Sequence, residues 1–454
     1  MNLPKSSKLE KFIYGLGGMG SCYVWSFMSS FITMYYTDSA LISAIVAGNV
    51  MLAGRLLDGA SDILFSALIK KCNFKRGGKY RPWIIISAPL LALGQILAFN
   101  IPASLSMNGK IIWIFVTYTF TAAVSFTIYG IAGGALMATM SYDPEDRGKI
   151  TSVQMFITQI GVLVMSMATP ILLGVWGGVS KQGSWSKLSF IYAMVCMVTV
   201  ALIGIVCKEK PNPYAENIES TAAEPKTGFT ESLKILLSDK YTWMILIVFI
   251  LYYLASGSAG FGLFVSRDVL GSMEIYSLMS LAGFIPLLLG IVLTPFLHAR
   301  LGRKRTNLGG LIIAAICCII VFFGPREVKF YLTVNIIRTF AGAPFMATIF
   351  VYVTDLIDHL FDKSKKQMAE MGTMAMNIGV KIGTGIGAAA VGWILGFSGY
   401  NPALEAQTEG TKTAIMFGSA GLPAIMYILI VVLMLFWKIG KQDAYRKGDN
   451  LKTD

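Results

Sequence analysis

The chain has 454 residues, 55% of them hydrophobic and 14% charged, with a mean hydropathy of +0.64 and a formal net charge of +13. Soluble domains carry about 25% charged residues, so the composition excludes an ordinary water-solvated globule and points to a body solvated by lipid. Two histidines and no nucleophile motif leave little from which to build an enzyme, and no cofactor is expected. Cysteines 22, 72, 196, 207, 317 and 318 show no metal-ligand spacing and read as small apolar packing.

Taken in order, the hydrophobic segments lie near 12–37, 40–69, 82–104, 110–140, 150–176, 188–207, 241–264, 275–299, 306–324, 328–358, 369–396 and 412–437. Each approaches the roughly 20 residues needed to cross a bilayer. Hydrocarbon offers the backbone no hydrogen-bond partner, so each must be a helix. The predicted class is an all-α membrane protein with twelve transmembrane helices in two six-helix bundles. The opening MNLPKSSKLEKF is a short basic tail running into an apolar helix, not a cleavable signal. The polar interval 208–240 divides six segments from six, the layout of the major facilitator fold, in which two halves rock about a midplane site. The expected domains are an N-terminal bundle (1–207) carrying the cation site, a cytoplasmic linker (208–240), a C-terminal bundle (241–438) and a cytoplasmic tail (439–454).

With a cytoplasmic N-terminus, 28 of the 38 Lys and Arg fall in cytoplasmic tails and loops, 7 on the opposite side, and Arg55, Arg338 and Lys381 within the membrane. That asymmetry is a strong positive-inside signal. Both termini are therefore expected in the cytoplasm of a bacterial-type cell (inner) membrane. The basicity records topology, not a nucleic-acid partner.

Segment two carries Arg55, Asp58 and Asp62. At about 100° per residue they share roughly 60° of one helix face, and a charge at the bilayer centre costs about 2.5–3.5 kcal/mol. That face should look into a cavity. Asp58 and Asp62 can converge on a small cation with Ser61 beside them and Thr127 as a further donor, a hard-oxygen set suited to Na⁺. Two close carboxylates could equally carry a proton, and a structural Arg55–Asp network is the third reading. The aligned segment eight has no charge, so coupling belongs to the N-terminal half. Lys381, deep in segment eleven, needs a carboxylate or anionic partner, for which Asp58 or Asp62 is the natural candidate. Arg147, Asp355 and Asp358 face the cytoplasm and could close that side through ion pairs. Gly133, Gly134, Gly383 and Gly387 suit close helix approach or sliding surfaces.

The chain resembles the glycoside–pentoside–hexuronide:cation symporters nearly end to end. The resemblance rests on YGLGGMG (14–20), MYYTD (34–38), GRLLDGASD (54–62), GGKYRPWI (77–84), ALMATMSYDPEDR (135–147), TDLIDHLFDKSKKQMAEMGTMAMNIGVKIG (354–383) and LGFSGY (395–400). It implies that Asp58 and Asp62, assisted by Thr127, bind a coupling cation, Na⁺ or H⁺. It further implies that Lys381 links the cation and sugar sites, and that Arg147, Asp355 and Asp358 form a cytoplasmic gate; Arg55 is read as a coupling group that offsets the repulsion of the two carboxylates. Ser61 stands where the best-known member has Asn, which leaves ion selectivity open.

Galactoside-binding relatives clamp sugar hydroxyls with an Asp on helix one, an Asp and a Trp on helix four and an Arg on helix five. The aligned positions here are Cys22, Gly130, Gly134 and roughly Met155. A site without those groups cannot discriminate by leaving them unpaired. The candidate substrate site is Cys22, Gly130, Gly134, Met346, Asn377 and Lys381. It implies a roomier cavity for a bulky glycoside, an oligosaccharide, an apolar conjugate or a sugar acid. A lysolipid transporter of the same fold and a non-transporting sensor are the rival readings.

Overall fold

The computed structural model describes residues 4–72, 78–211, 229–364 and 369–439, and it is helical throughout. In chain order the helices are α1 (Lys8–Met34), α2 (Ala44–Lys71), α3 (Arg81–Ala98), α4 (Met107–Met140), α5 (Pro144–Val175) and α6 (Gln182–Val206). After the linker come the short α7 (Phe229–Ser238), then α8 (Lys240–Val269), α9 (Ile275–Leu301), α10 (Arg303–Phe323), α11 (Val328–Ser364), α12 (Ala369–Phe397) and α13 (Glu409–Leu435). Among the described residues, ten helices are long and apolar enough to cross a membrane. Helices α1 and α2 fall outside that ten: α1 is diluted by Gly, Ser and Tyr, and α2 carries Arg55, Asp58 and Asp62 in mid-span. Large apolar side chains such as Val175, Val292 and Phe397 are 74 to 80% exposed, as a lipid-facing surface requires. The tail 440–454 and most of the linker, 212–228, lie outside the described residues.

Contacts divide the chain into two compact units: 1–224 with 259–281 and 388–415, and 225–258 with 282–387 and 416–454. The first therefore holds the N-terminal helices together with the ends of α8 and α12 and the start of α9. In this unit α1 lies between α5 and α6, and its glycines make the approach possible. A Cβ on Gly20 would sit 1.9 Å from Thr199 Oγ1 of α6, and one on Gly18 would sit 2.9 Å from Thr158 Oγ1 of α5. Gly392 of α12 meets α2 as closely, its Cβ position 2.2 Å from the Ala44 carbonyl oxygen. In the second unit α10 packs on α11 and α13 around Phe249, Phe345, Ile349, Tyr352 and Leu356.

Among the described residues there are four wide π turns, one following α1 and three within α4, α8 and α13, and such a turn inserts a residue and re-aims the helix face beyond it. Those ending α1 (Tyr35–Ser39) and α8 (Val265–Val269) are copies 230 positions apart. Ala40 N–H donates to the Tyr35 carbonyl and Ile42 N–H to that of Tyr36, as Leu270 donates to Val265 and Ser272 to Ser266. Each turn is followed by a left-handed residue, Leu41 at φ 56° and Gly271 at φ 90°. This is the internal repeat at atomic level, and only its second copy has the residue that takes the conformation without strain.

The left-handed region costs an L-residue about 1–2 kcal/mol, and Leu41 is 64% exposed, so removing its side chain loses little burial. Leu41→Gly should leave thermal stability equal or slightly higher. Gly271→Leu should lower it by about 1 kcal/mol, read as unfolding temperature in detergent. A loss on Leu41→Gly would contradict this account of the turn.

Candidate functional site

The π turn Phe120–Phe126 lies inside α4 and ends where Thr127 begins the next helical stretch. One inserted residue rotates the downstream part of the helix by about 100°, and Thr127 is turned onto α2. Its Oγ1 donates to Asp58 Oδ1 at 3.0 Å. Ser61 Oγ donates to the Asp58 backbone carbonyl at 2.9 Å and lies 3.3 Å from Thr127 Oγ1. Asp58 and Thr127 are 7% and 5% exposed. The two hydroxyls are hydrogen-bonded to each other and to Asp58, so their oxygens gather beside its carboxylate. Asp62 comes one turn later on the same face, half-buried. Such a set of hard oxygens can hold a small monovalent cation or a proton. Among the described residues, no three His, Cys, Asp or Glu side chains converge as a metal site.

Arg55 departs from expectation. Its guanidinium lies flat on Trp25 of α1, Cζ 3.7 Å from the ring centroid, and among the described residues it forms no ion pair with a carboxylate. Arg55 is 6% exposed and its Nε has no hydrogen-bond partner. A desolvated cation over an indole gains about 2 kcal/mol, so the π face, not Asp58 or Asp62, is its contact. Phe126 backs Trp25 at 4.7 Å between centroids. The sequence reading missed Trp25, because one tryptophan on an apolar helix reads as packing.

Gly130 and Gly134 lie three and seven residues beyond Thr127, within about 60° of its face. Both are exposed, and a Cβ on either would meet nothing within 4 Å. Gly134 is therefore not a packing glycine but part of an open wall beside the Asp58 cluster. Gly383 and Gly387 do serve close approach: their Cβ positions lie 2.5 Å from the carbonyl oxygens of Ile250 and Leu254. Cys22 is half-buried on α1, and Met155 on α5 is exposed.

In the second unit, Lys381 is half-buried on α12, Asn377 is exposed one turn earlier, and Met346 is exposed on α11. Asp355 is buried and ion-paired with Arg303, whose guanidinium also lies 4.9 Å from the Tyr352 ring. Asp358 is exposed on the same helix. Nearby, Asp239 caps α8 through Tyr241 N–H and accepts from Lys363 Nζ at 2.9 Å. Burial opposes its ionisation, but the Lys363 hydrogen bond and this cap outweigh it and hold the carboxyl below the usual range. Arg147, in the first unit, turns back to donate to the carbonyls of Ser141 and Ala138 at 2.6 and 2.7 Å, closing the C-terminus of α4. Arg303 was not singled out by sequence, since a basic loop residue reads as a topology marker.

Apolar helices around a buried carboxylate–hydroxyl cluster define a membrane transport protein, not an enzyme. Residues 13–441 match the MFS/sugar transport protein family, and the chain belongs to it. It is 26% identical over 442 residues to the isoprimeverose transporter of Lactiplantibacillus pentosus, covering 95% of this chain and 89% of that one. It is 23% identical to the putative glycoside/cation symporter YagG of Escherichia coli K12, covering 95% and 92%. The fold is similar to that of a D-xylose-proton symporter, with TM-score 0.63 at 14% identity over 94% of this chain and 96% of the other. These relatives agree with the resemblance to glycoside:cation symporters.

A hydrogen bond to a charged group contributes about 1.5–3 kcal/mol. Thr127→Val should keep the fold and weaken the coupling ion about tenfold or more, measured as the ion concentration giving half-maximal thermal stabilisation. An unchanged midpoint would remove Thr127 from the site.

Proposed function

We propose that the protein is a secondary active symporter that imports a glycoside, oligosaccharide or sugar acid with Na⁺ or H⁺ by alternating access. The observation that carries this reading is the Thr127–Asp58–Ser61 cluster with Asp62 one turn away. In the proposal twelve helices cross an inner membrane, both termini are cytoplasmic, and a cytoplasmic linker at 208–240 joins the bundles 1–207 and 241–438. The ion binds Asp58 and Asp62 with Ser61 and Thr127. Its charge permits the two carboxylates to coexist away from water, which a proton could also do by neutralising one of them. Lys381 is the coupling group, whose cation takes the ion's place when the site empties. Arg147, Asp355 and Asp358 serve the cytoplasmic gate, with Arg303 holding Asp355.

The residues proposed for the substrate are Cys22, Gly130 and Gly134 in the first unit, and Met346, Asn377 and Lys381 in the second. Arg55 supports a sugar acid in particular. Its Nε is buried without a hydrogen-bond partner and its plane lies on Trp25, so an acid group reaching the guanidinium would answer its charge.

Thermal stabilisation of the purified protein by neutral glycosides, glucuronides and lysolipids, with and without Na⁺ and across pH, tests the reading. Sugar stabilisation that strengthens with the ion is expected, and a response to lysolipid alone would contradict it. Asp58→Asn and Asp62→Asn should each abolish ion-dependent accumulation. Accumulation that survives both changes would overturn the cation site.

A further inference from the structure

The two repeat-related π turns bring opposite charges together inside the first unit. Arg267, in the α8 turn, donates from Nη1 to Asp38 Oδ1 of the α1 turn at 2.6 Å. Its Nε and Nη2 donate to Asp268 Oδ1 and Oδ2, both at 2.9 Å. Nη2 also donates to the Tyr400 hydroxyl, which donates in turn to Asp38 Oδ1 at 2.9 Å. Asp38 and Asp268 occupy equivalent places in the two copies, so one guanidinium is shared by two repeat-related carboxylates. Side-chain exposures are 3% for Asp38, 10% for Asp268 and 21% for Arg267.

We propose that Asp38, Arg267 and Tyr400 form a latch that fastens the ends of α1 and α8, and the loop after α12, on the extracytoplasmic side. Substrate entry from that side requires the latch to part. This rests on the alternating-access reading above. Three observations support it. The network fastens 259–281 and 388–415 to the N-terminal helices, the two segments that join the first unit from the second half of the chain. The first of these segments begins at a 3₁₀ turn, Ser258–Gly260, that interrupts α8, and such breaks inside helices mark hinges. A cavity of about 230 Å³ is lined by Thr37, Ile42, Gly396 and Tyr400, so Tyr400, which bridges the network, borders open space.

A buried pair that loses one partner leaves an uncompensated charge, so single neutralisations should favour the parted state. A Ser266→Cys reporter, at a fully buried position next to Arg267 in the turn, can be labelled with a membrane-impermeant maleimide applied to the extracytoplasmic face. Labelling is compared with the same variant lacking the reporter. Arg267→Gln and Asp38→Asn should label about fivefold or more faster than the reporter alone, and Arg267→Lys should fall between. Tyr400→Phe keeps the ring against Phe264, 5.4 Å away, and should raise the rate about twofold even if the charge variants fail to fold. Folded variants that label at the parental rate would overturn the latch. Labelling does not depend on sugar or ion, so failure of the latch and failure of the symport reading are distinguishable.

Discussion

A carboxylate buried in a helix that lipid surrounds is stable only when something answers its charge. Asp58 imposes that requirement, and much of the first unit is arranged around it. Thr127 reaches it because α4 contains a π turn immediately upstream. Ser61 reaches it from within its own helical turn. The hydroxyls supply hydrogen bonds but no positive charge, and Arg55 is committed to Trp25. A carboxylate flanked by two hydroxyls is a set of hard oxygens of the kind a small mobile cation binds, which is the physical basis for proposing that the protein is ion-driven.

The same wide turn recurs where helices must leave the regular α pattern to carry a polar side chain. In α4 it serves Thr127; at the ends of α1 and α8 it presents Asp38 and Arg267. Those last two turns share hydrogen bonds and a left-handed residue, so the duplication of the fold persists in backbone geometry although the segments differ in sequence. The chain thus uses one backbone device beside the Asp58 cluster and at the ends of α1 and α8. Neutral glycines beside the ion cluster leave cargo recognition to other groups.

Helix spans were legible because roughly twenty apolar residues in hydrocarbon have one solution, although ends such as Ala98, Pro144, Gln182 and Ser364 lie a turn or more from the apolar segments' limits. The i, i+4 carboxylates with Ser61 were legible because helical spacing alone puts them on one face. Spacing gave Arg55 the neighbour Asp58, whereas the ring it lies on, Trp25, is on α1, beyond the reach of local periodicity. Asp38 and Arg267 are 229 residues apart, and no local pattern pairs them. Gly134 read as packing because sequence cannot tell a glycine that admits a neighbouring helix from one that borders open space.

Gradient-driven uptake into proteoliposomes tests the central claim most directly. With an inward Na⁺ or proton gradient as the only driving force, a stabilising glycoside or sugar acid should accumulate above its external concentration and drain when the gradient is collapsed. Uptake that merely equilibrates, whichever ion gradient is imposed, would contradict the assignment of Asp58 and its neighbours as the seat of the driving ion.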